Sequence, residues 1–241
     1  MLHVYYACVF LDIIPLMRKF KAALFDLDGT LLDTSEFIFQ AFENTLSSHG
    51  IQPPSRHEIS KLVGKPLEYC YKLLSGLANV DELCVEHRLF QANHLKLAKT
   101  YPGTGEVLQA LKSADLKIAT VTTRQRETSL RTLEITNLIS YMDYVVALED
   151  VENLKPHPEP VLKALNFLNV EPEGAVMVGD TDVDILAGKN AGTITVGATY
   201  GFRGMQIKDS DPDFIIDDIK EIIPLILATP EAIPDWQLLR D

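Results

Sequence analysis

From Tyr101 onward the chain alternates short β-branched apolar runs with amphipathic stretches, and this rhythm restricts its fold more than any other feature. A helix at 105–113 leads into the apolar run Lys117–Val121. A helix near 126–136 precedes a strand at Tyr144–Ala147, and a helix at Pro158–Asn169 precedes a strand at 174–178. A helix at Asp182–Asn190 precedes a strand at Thr193–Gly197, then Asp213–Ile216 reads as an edge strand and Asp218–Leu227 as a last helix. Parallel strands need crossovers of this kind, so βαβ units and a mostly parallel α/β sheet are expected. One further strand, Ala22–Phe25, stands upstream and runs directly into the polar segment Asp26-Leu27-Asp28-Gly29-Thr30.

Between that first strand and Thr100 no β-rich run occurs. Residues 34–48 place Phe37, Ala41, Phe42 and Leu46 at helical spacing, with Thr34 or Ser35 as N-cap. Residues 56–98 read as helical, broken near Gly64-Lys65-Pro66 and Gly76. The expected organisation is a core of residues 17–33 and 100–228 with an all-helical insertion at 34–99. Residues 229–241 read as a C-terminal tail.

Residues 1–16 read as an extension to the fold. They are mostly apolar, but the basic residues Arg18, Lys19 and Lys21 follow them, whereas a secretory signal has its basic residues first. Asp12 and Pro15 interrupt the stretch, which is too short to span a bilayer.

The net charge of −12 repels nucleic-acid phosphates and anionic lipids, so neither is expected as a partner. Any site for a phosphorylated small molecule must then carry local positive charge. Cys8, Cys70 and Cys84 are odd in number and widely spaced, which fits no disulfide framework and no metal knuckle. A cytoplasmic protein, monomeric or a weak homodimer, is the expectation.

Open parallel sheets bind ligands beyond the carboxyl ends of their strands. Three such ends carry polar clusters: Phe25–Thr30, Val121-Thr122-Thr123-Arg124, and Val178-Gly179-Asp180-Thr181-Asp182-Val183-Asp184. Asp26 and Asp28 lie two apart where a strand ends, so their side chains share a direction if the extended backbone continues. Asp180 and Asp184 lie four apart at a helix start, on one face. If the strands before Asp26 and Asp180 are neighbours, several carboxylates meet, a donor set that suits Mg²⁺. Thr122 and Thr123 end a strand before a helix, where hydroxyls and free N–H groups receive anions, and Lys155 could neutralise a dianion. Asp182 reads as a helix N-cap.

Other motifs fail on inspection. Asp180-Thr-Asp-Val-Asp184 starts like a calcium loop, but Ile185 and Ala191 stand where Gly and Glu are required. Gly188-Lys189 lacks the remainder of a P-loop, and no GxGxxG follows a strand.

In chain order, Asp-x-Asp, Thr, Lys, Asp-x₃-Asp resembles the haloacid dehalogenase-like hydrolases, mostly Mg²⁺-dependent phosphatases. The resemblance rests on FDLDGTLLDT at 25–34, VTT at 121–123, KPHPEP at 155–160 and VGDTDVDILAGKNAG at 178–192. It implies a Rossmann-like core with a four-helix cap resting over the strand ends. It further implies that Asp26 is the nucleophile and that Asp28 is the general acid and base. Asp26, Asp28 (through its carbonyl) and Asp180 would ligate Mg²⁺, with Asp184 holding the metal's waters. Thr122, Thr123 and Lys155 would bind the transferring phosphoryl group. The family's dehalogenases lack the second Asp, because a halide leaves without a proton whereas an alkoxide needs one. Asp28 therefore argues against dehalogenation.

The loop Leu62–Leu67 resembles the family's substrate-specificity loop, which makes Gly64 and Lys65 the expected cap residues at the substrate. Three substrates follow from the subgroup: 2-phosphoglycolate, which is the first expectation; inorganic pyrophosphate, toward which Thr123 and the run DVENLKPHPEP lean; and a sugar phosphate in a β-phosphoglucomutase-like reaction. The mutase branch carries an Arg- and Ser-containing loop where this chain has 62–67, which counts against an isomerase.

Overall fold

The computed structural model describes residues 20–227. Residues 1–19 and 228–241, with the expected extension, tail and Cys8, lie outside the described residues.

Strands β1 (Ala22–Phe25), β4 (Lys117–Val121), β5 (Tyr144–Val146), β6 (Ala175–Gly179), β7 (Ile194–Ala198) and β8 (Phe214–Ile216) form one sheet in the order β5-β4-β1-β6-β7-β8. Every pairing in it is parallel. β1 is flanked by β4 and β6, so its four residues are all buried and its sequence is apolar at every position. Its side chains still divide by face. Ala23 and Phe25 pack with Val107, Leu108 and Ile118 on one side, while Ala22 and Leu24 pack with Val161, Leu165 and Met177 on the other.

Helices α5 (Thr104–Ser113), α6 (Arg126–Ile135), α7 (Glu159–Leu168), α8 (Asp182–Ala191) and α9 (Ile222–Leu227) cover the two faces. The sequence places a single helix at 218–227; the structure divides it into a 3₁₀ turn at Ile219–Glu221 and α9. Asp182 is not the cap of α8. Thr181 is, in a capping box with Asp184: the Thr181 N–H donates to Asp184 Oδ2 at 3.0 Å and the Thr181 hydroxyl donates to the same oxygen at 2.5 Å.

The insertion contributes helices α1 (Ser35–Ser48), α2 (Arg56–Ser60), α3 (Leu67–Ser75) and α4 (Asp81–Asn93). They enclose a separate apolar cluster that includes Phe37, Phe42, Leu46, Ile59, Tyr71 and Leu83. The Tyr71 hydroxyl lies 2.8 Å from His87 Nδ1, so each buried polar group in this cluster satisfies the other. Its entry and exit are tied together by a two-stranded antiparallel ribbon, β2 (Leu32–Asp33) with β3 (Lys99–Thr100), which pairs Leu32 with Thr100 and Asp33 with Lys99.

The helical cap also touches the core directly. Phe39 of α1 meets Phe202 edge-on, with ring centroids 6.1 Å apart. Gly64 sits in the left-handed region at φ +86°, and a Cβ on it would lie 3.1 Å from Val183 Cγ2 and 3.2 Å from Thr181 Oγ1. The turn between α2 and α3 therefore rests on the start of α8, which a larger residue in this backbone conformation would disturb.

Candidate active site

The sheet order brings the polar strand ends together. Phe25 pairs with Val178, and the Asp26 N–H donates to the Val178 carbonyl at 2.9 Å, so Asp26 and Asp180 leave adjacent strands at the same end. One oxygen each from Asp26, Asp180 and Asp184 lie within 4.8 Å of one another, and all three residues are buried. The sequence expectation put Asp184 further out than Asp26 and Asp180; its carboxylate stands in the same group.

Lys155 is the cation of this cluster. Its Nζ donates to Asp26 Oδ1 at 2.7 Å, to Asp184 Oδ1 at 2.5 Å and to the Val121 carbonyl at 2.8 Å, so all three ammonium protons are used. Its side chain is only 2 % exposed.

One ammonium against three buried carboxylates leaves an excess of negative charge. Burial pushes the Asp26 carboxyl up to about 7; Lys155 pulls it back, and the Asp184 and Asp28 carboxylates add to the rise. Asp180 is held well above the usual carboxylate range, first by burial and then by Asp184 and Asp26, against the Phe202 N–H and Lys155. A cluster of hard oxygen donors with charge to spare fits a small divalent cation. Its surroundings are tightly packed. Gly29 has φ +84°, and a Cβ there would collide with the Asp180 carboxylate and the Phe202 ring. Asp180 Oδ2 accepts the Phe202 N–H at 2.6 Å, while Thr30 Oγ1 donates to Oδ1 at 3.3 Å.

The Asp28 carboxylate is not part of the acidic group. Its Oδ2 lies 3.5 Å from Arg124 Nε, and its Oδ1 is buried without a hydrogen-bond partner. Asp26 and Asp28 both line a cavity of about 270 Å³ between sheet and cap. Thr123, Gly64 and Lys65 line the same cavity. Thr122 is buried at its floor-side strand end, where its hydroxyl accepts the Arg124 N–H at 3.2 Å. Lys65 Nζ sits 5.7 Å from the centre of the Tyr69 ring.

One side chain at this cavity has no role in the sequence reading. Arg124 is buried, with its guanidinium carbon 4.4 Å from the centre of the Phe37 ring of α1. The available signal is its position directly after Thr122-Thr123 at a strand end; its burial depends on a cap helix that no local pattern connects to it.

An acidic group, a buried lysine and two strand-end threonines thus gather at one end of the sheet, beside a cavity that Asp26, Asp28 and Thr123 line. Residues 23–198 match the model of the haloacid dehalogenase-like hydrolase family. The chain is 37 % identical over 210 residues to the pyrophosphatase PpaX of Halalkalibacterium halodurans, which covers 86 % of this chain and 97 % of that protein. Among solved structures, a predicted phosphoglycolate phosphatase from Haemophilus somnus superposes with a TM-score of 0.78 at 25 % identity, over 87 % of this chain and 99 % of that one. A haloacid dehalogenase-like family hydrolase from Streptococcus pneumoniae gives a TM-score of 0.77 at 25 % identity, over 86 % and 98 % of the two chains.

Proposed function

The chain belongs to the haloacid dehalogenase-like hydrolases and is a phosphatase of that family; from this premise we propose that it hydrolyses a small phosphate compound through a phosphorylated Asp26, with Mg²⁺ as its metal. The single observation that carries the reading is the placement of Asp26 between Lys155 and a second carboxylate group, with Asp28 on the cavity side. Pyrophosphate is the first candidate substrate, supported by the relative named a pyrophosphatase. 2-Phosphoglycolate is the second, supported by the similar structure of a predicted phosphoglycolate phosphatase.

Asp26, Asp180 and Asp184, with the Asp28 carbonyl, would hold the metal, whose charge would let an anionic carboxylate approach an anionic phosphate. An Asp26 oxygen attacks phosphorus, an O–P bond forms, and the bond from phosphorus to the leaving oxygen breaks. Asp28, protonated beforehand, gives its proton to that oxygen. Asp28 then takes a proton from water as the water oxygen attacks the aspartyl-phosphate, which releases inorganic phosphate and restores the Asp26 carboxylate. Lys155 holds Asp26 in one orientation throughout, and its charge offsets that of the transferring phosphoryl group. Thr122 and Thr123 offer hydroxyls to the same group.

Among the described residues no helix is long and apolar enough to cross a membrane. The reading is tested by phosphate release from a panel of pyrophosphate, 2-phosphoglycolate, β-glucose 1-phosphate and p-nitrophenyl phosphate with Mg²⁺ present. Stoichiometric release from the first two is expected. No release from any compound would overturn the proposal.

A further inference from the structure

Arg124 presents a problem that the phosphoryl chemistry leaves unsolved. Its Nε, Nη1 and Nη2 are all buried, and none has a hydrogen-bond partner. Among the described residues its ion-pair partner is Asp28, whose Oδ2 stands 3.5 Å from Nε, too far for a strong charge-assisted bond. A buried guanidinium with unfilled donors is costly, because burial has removed water from a charge that the protein does not itself satisfy. Such a group is retained where a ligand completes it.

The position of Arg124 says which part of the ligand that is. Lys155 already serves the proposed nucleophile, Asp26. Arg124 lies beside Asp28, the group that would protonate the leaving oxygen, and lines the cavity between sheet and cap. The leaving group is therefore what it would meet. Phe37 of α1 faces the guanidinium with its ring centre 4.4 Å from the guanidinium carbon, so the cap helps to hold Arg124 at this wall. Two more cations, Arg88 of α4 and Lys65, line the same cavity; Glu68, also at its wall, is paired with Lys72 at 2.7 Å. His87, a buried residue of the same lining, is held down to about 3 by burial and then by Arg88 and Arg124, so it remains neutral beside them.

We propose that Arg124 determines substrate specificity by binding an oxyanion on the leaving group itself, and so selects substrates that carry a second phosphate or a carboxylate next to the scissile bond. This rests on the phosphatase reading above and goes beyond it by naming what the leaving group must contain. A planar guanidinium can grip two oxygens of such a group at once, which a single ammonium cannot. The cavity of about 270 Å³ has room for an anion of this kind beside the reacting phosphoryl group.

The test compares wild type with Arg124→Gln and Arg124→Lys on pyrophosphate, 2-phosphoglycolate and p-nitrophenyl phosphate. Arg124→Gln is expected to lower kcat/KM on the favoured anionic substrate about 10- to 100-fold more than on the aryl phosphate, with Arg124→Lys in between. The relative loss on pyrophosphate and on 2-phosphoglycolate tells a phosphate source from a carboxylate source. Equal losses on all three substrates would assign Arg124 to structure and overturn the inference. A measurement on wild type alone guards against a variant that fails to fold: methylenediphosphonate should inhibit at least about tenfold more tightly than methylphosphonate. Equal inhibition would overturn the inference with the phosphatase reading intact, whereas a wild-type enzyme inactive on every phosphate would remove that reading instead.

Discussion

Lys155 Nζ stands 2.7 Å from Asp26 Oδ1, and the same ammonium reaches Asp184 Oδ1 at 2.5 Å. The proposed nucleophile is thus held by a cation that comes from a loop between β5 and α7, far from β1 in sequence. Because Lys155 bridges two carboxylates, it depends on neither of them alone. Asp26 can lose its charge while Lys155 remains paired with Asp184 and the Val121 carbonyl.

That redundancy sets the outcome of Asp26→Asn. The amide keeps the shape and removes one of several crowded negative charges, so the thermal midpoint should equal or exceed that of wild type. Turnover should fall by more than about a thousandfold, since the amide is no nucleophile. Phosphate release and a thermal melt on the same preparation check both halves; a variant that releases phosphate at the wild-type rate would remove Asp26 from the mechanism.

The acidic group also dictates how metal and pH act together. The folded-state value of Asp26 is raised from 3.8 to about 7. Within that window the unfolded chain has given up the proton and the folded chain keeps it. The native state therefore binds more protons, and the metal-free protein loses stability as pH rises from 3.8 toward 7. A divalent cation reverses this by stabilising the ionised form. Adding MgCl₂ should raise the thermal midpoint by a few degrees at about pH 7.5, and the gain should shrink toward zero at about pH 5, where protons compete for the same oxygens. A gain independent of pH would show that the metal binds elsewhere.

The parts of the fold that could be read in the sequence are those with a period long enough to show. β4, β6 and β7 are apolar runs of five residues bounded by helical patterns, and each appears within a residue of its expected place. β2 and β3 have two residues apiece, Leu32-Asp33 and Lys99-Thr100, too few for alternation to register. Their pairing is a tertiary fact, made by closing the helical insertion on itself. The placement of the site residues divides in the same way. Asp26, Asp180, Asp184 and Lys155 converge because β1 and β6 are neighbours, which the sequence could state only as a condition. The misread cap of α8 has a local cause: Asp182 and Thr181 are both good capping residues, and the reach of Asp184 back to Thr181 decides between them. The burial of Arg124 needs the Phe37 ring above it, and nothing near Arg124 in the chain announces that contact.

The cap loop should contribute to substrate choice less than the core does. Gly64 rests this loop against Thr181 and Val183, and Lys65 follows it in the cavity lining. Lys65 is half-buried, and its ammonium rests over the Tyr69 ring instead of in an ion pair. An ammonium so placed is free to swing toward an anion in the cavity, yet water reaches it and weakens the attraction. Lys65→Ala should therefore weaken kcat/KM on the best anionic substrate by roughly 1–3 kcal/mol, toward the lower end because of this exposure. The loss should lie mainly in KM and should shrink as salt is raised, since screening acts on an exposed charge before a buried one. It should also exceed the loss on p-nitrophenyl phosphate, whose leaving group offers no anion for the ammonium to meet. Steady-state kinetics on both substrates at low and high ionic strength check this. Equal losses on the two, or none on either, would mean that the loop covers the substrate without contacting its charge.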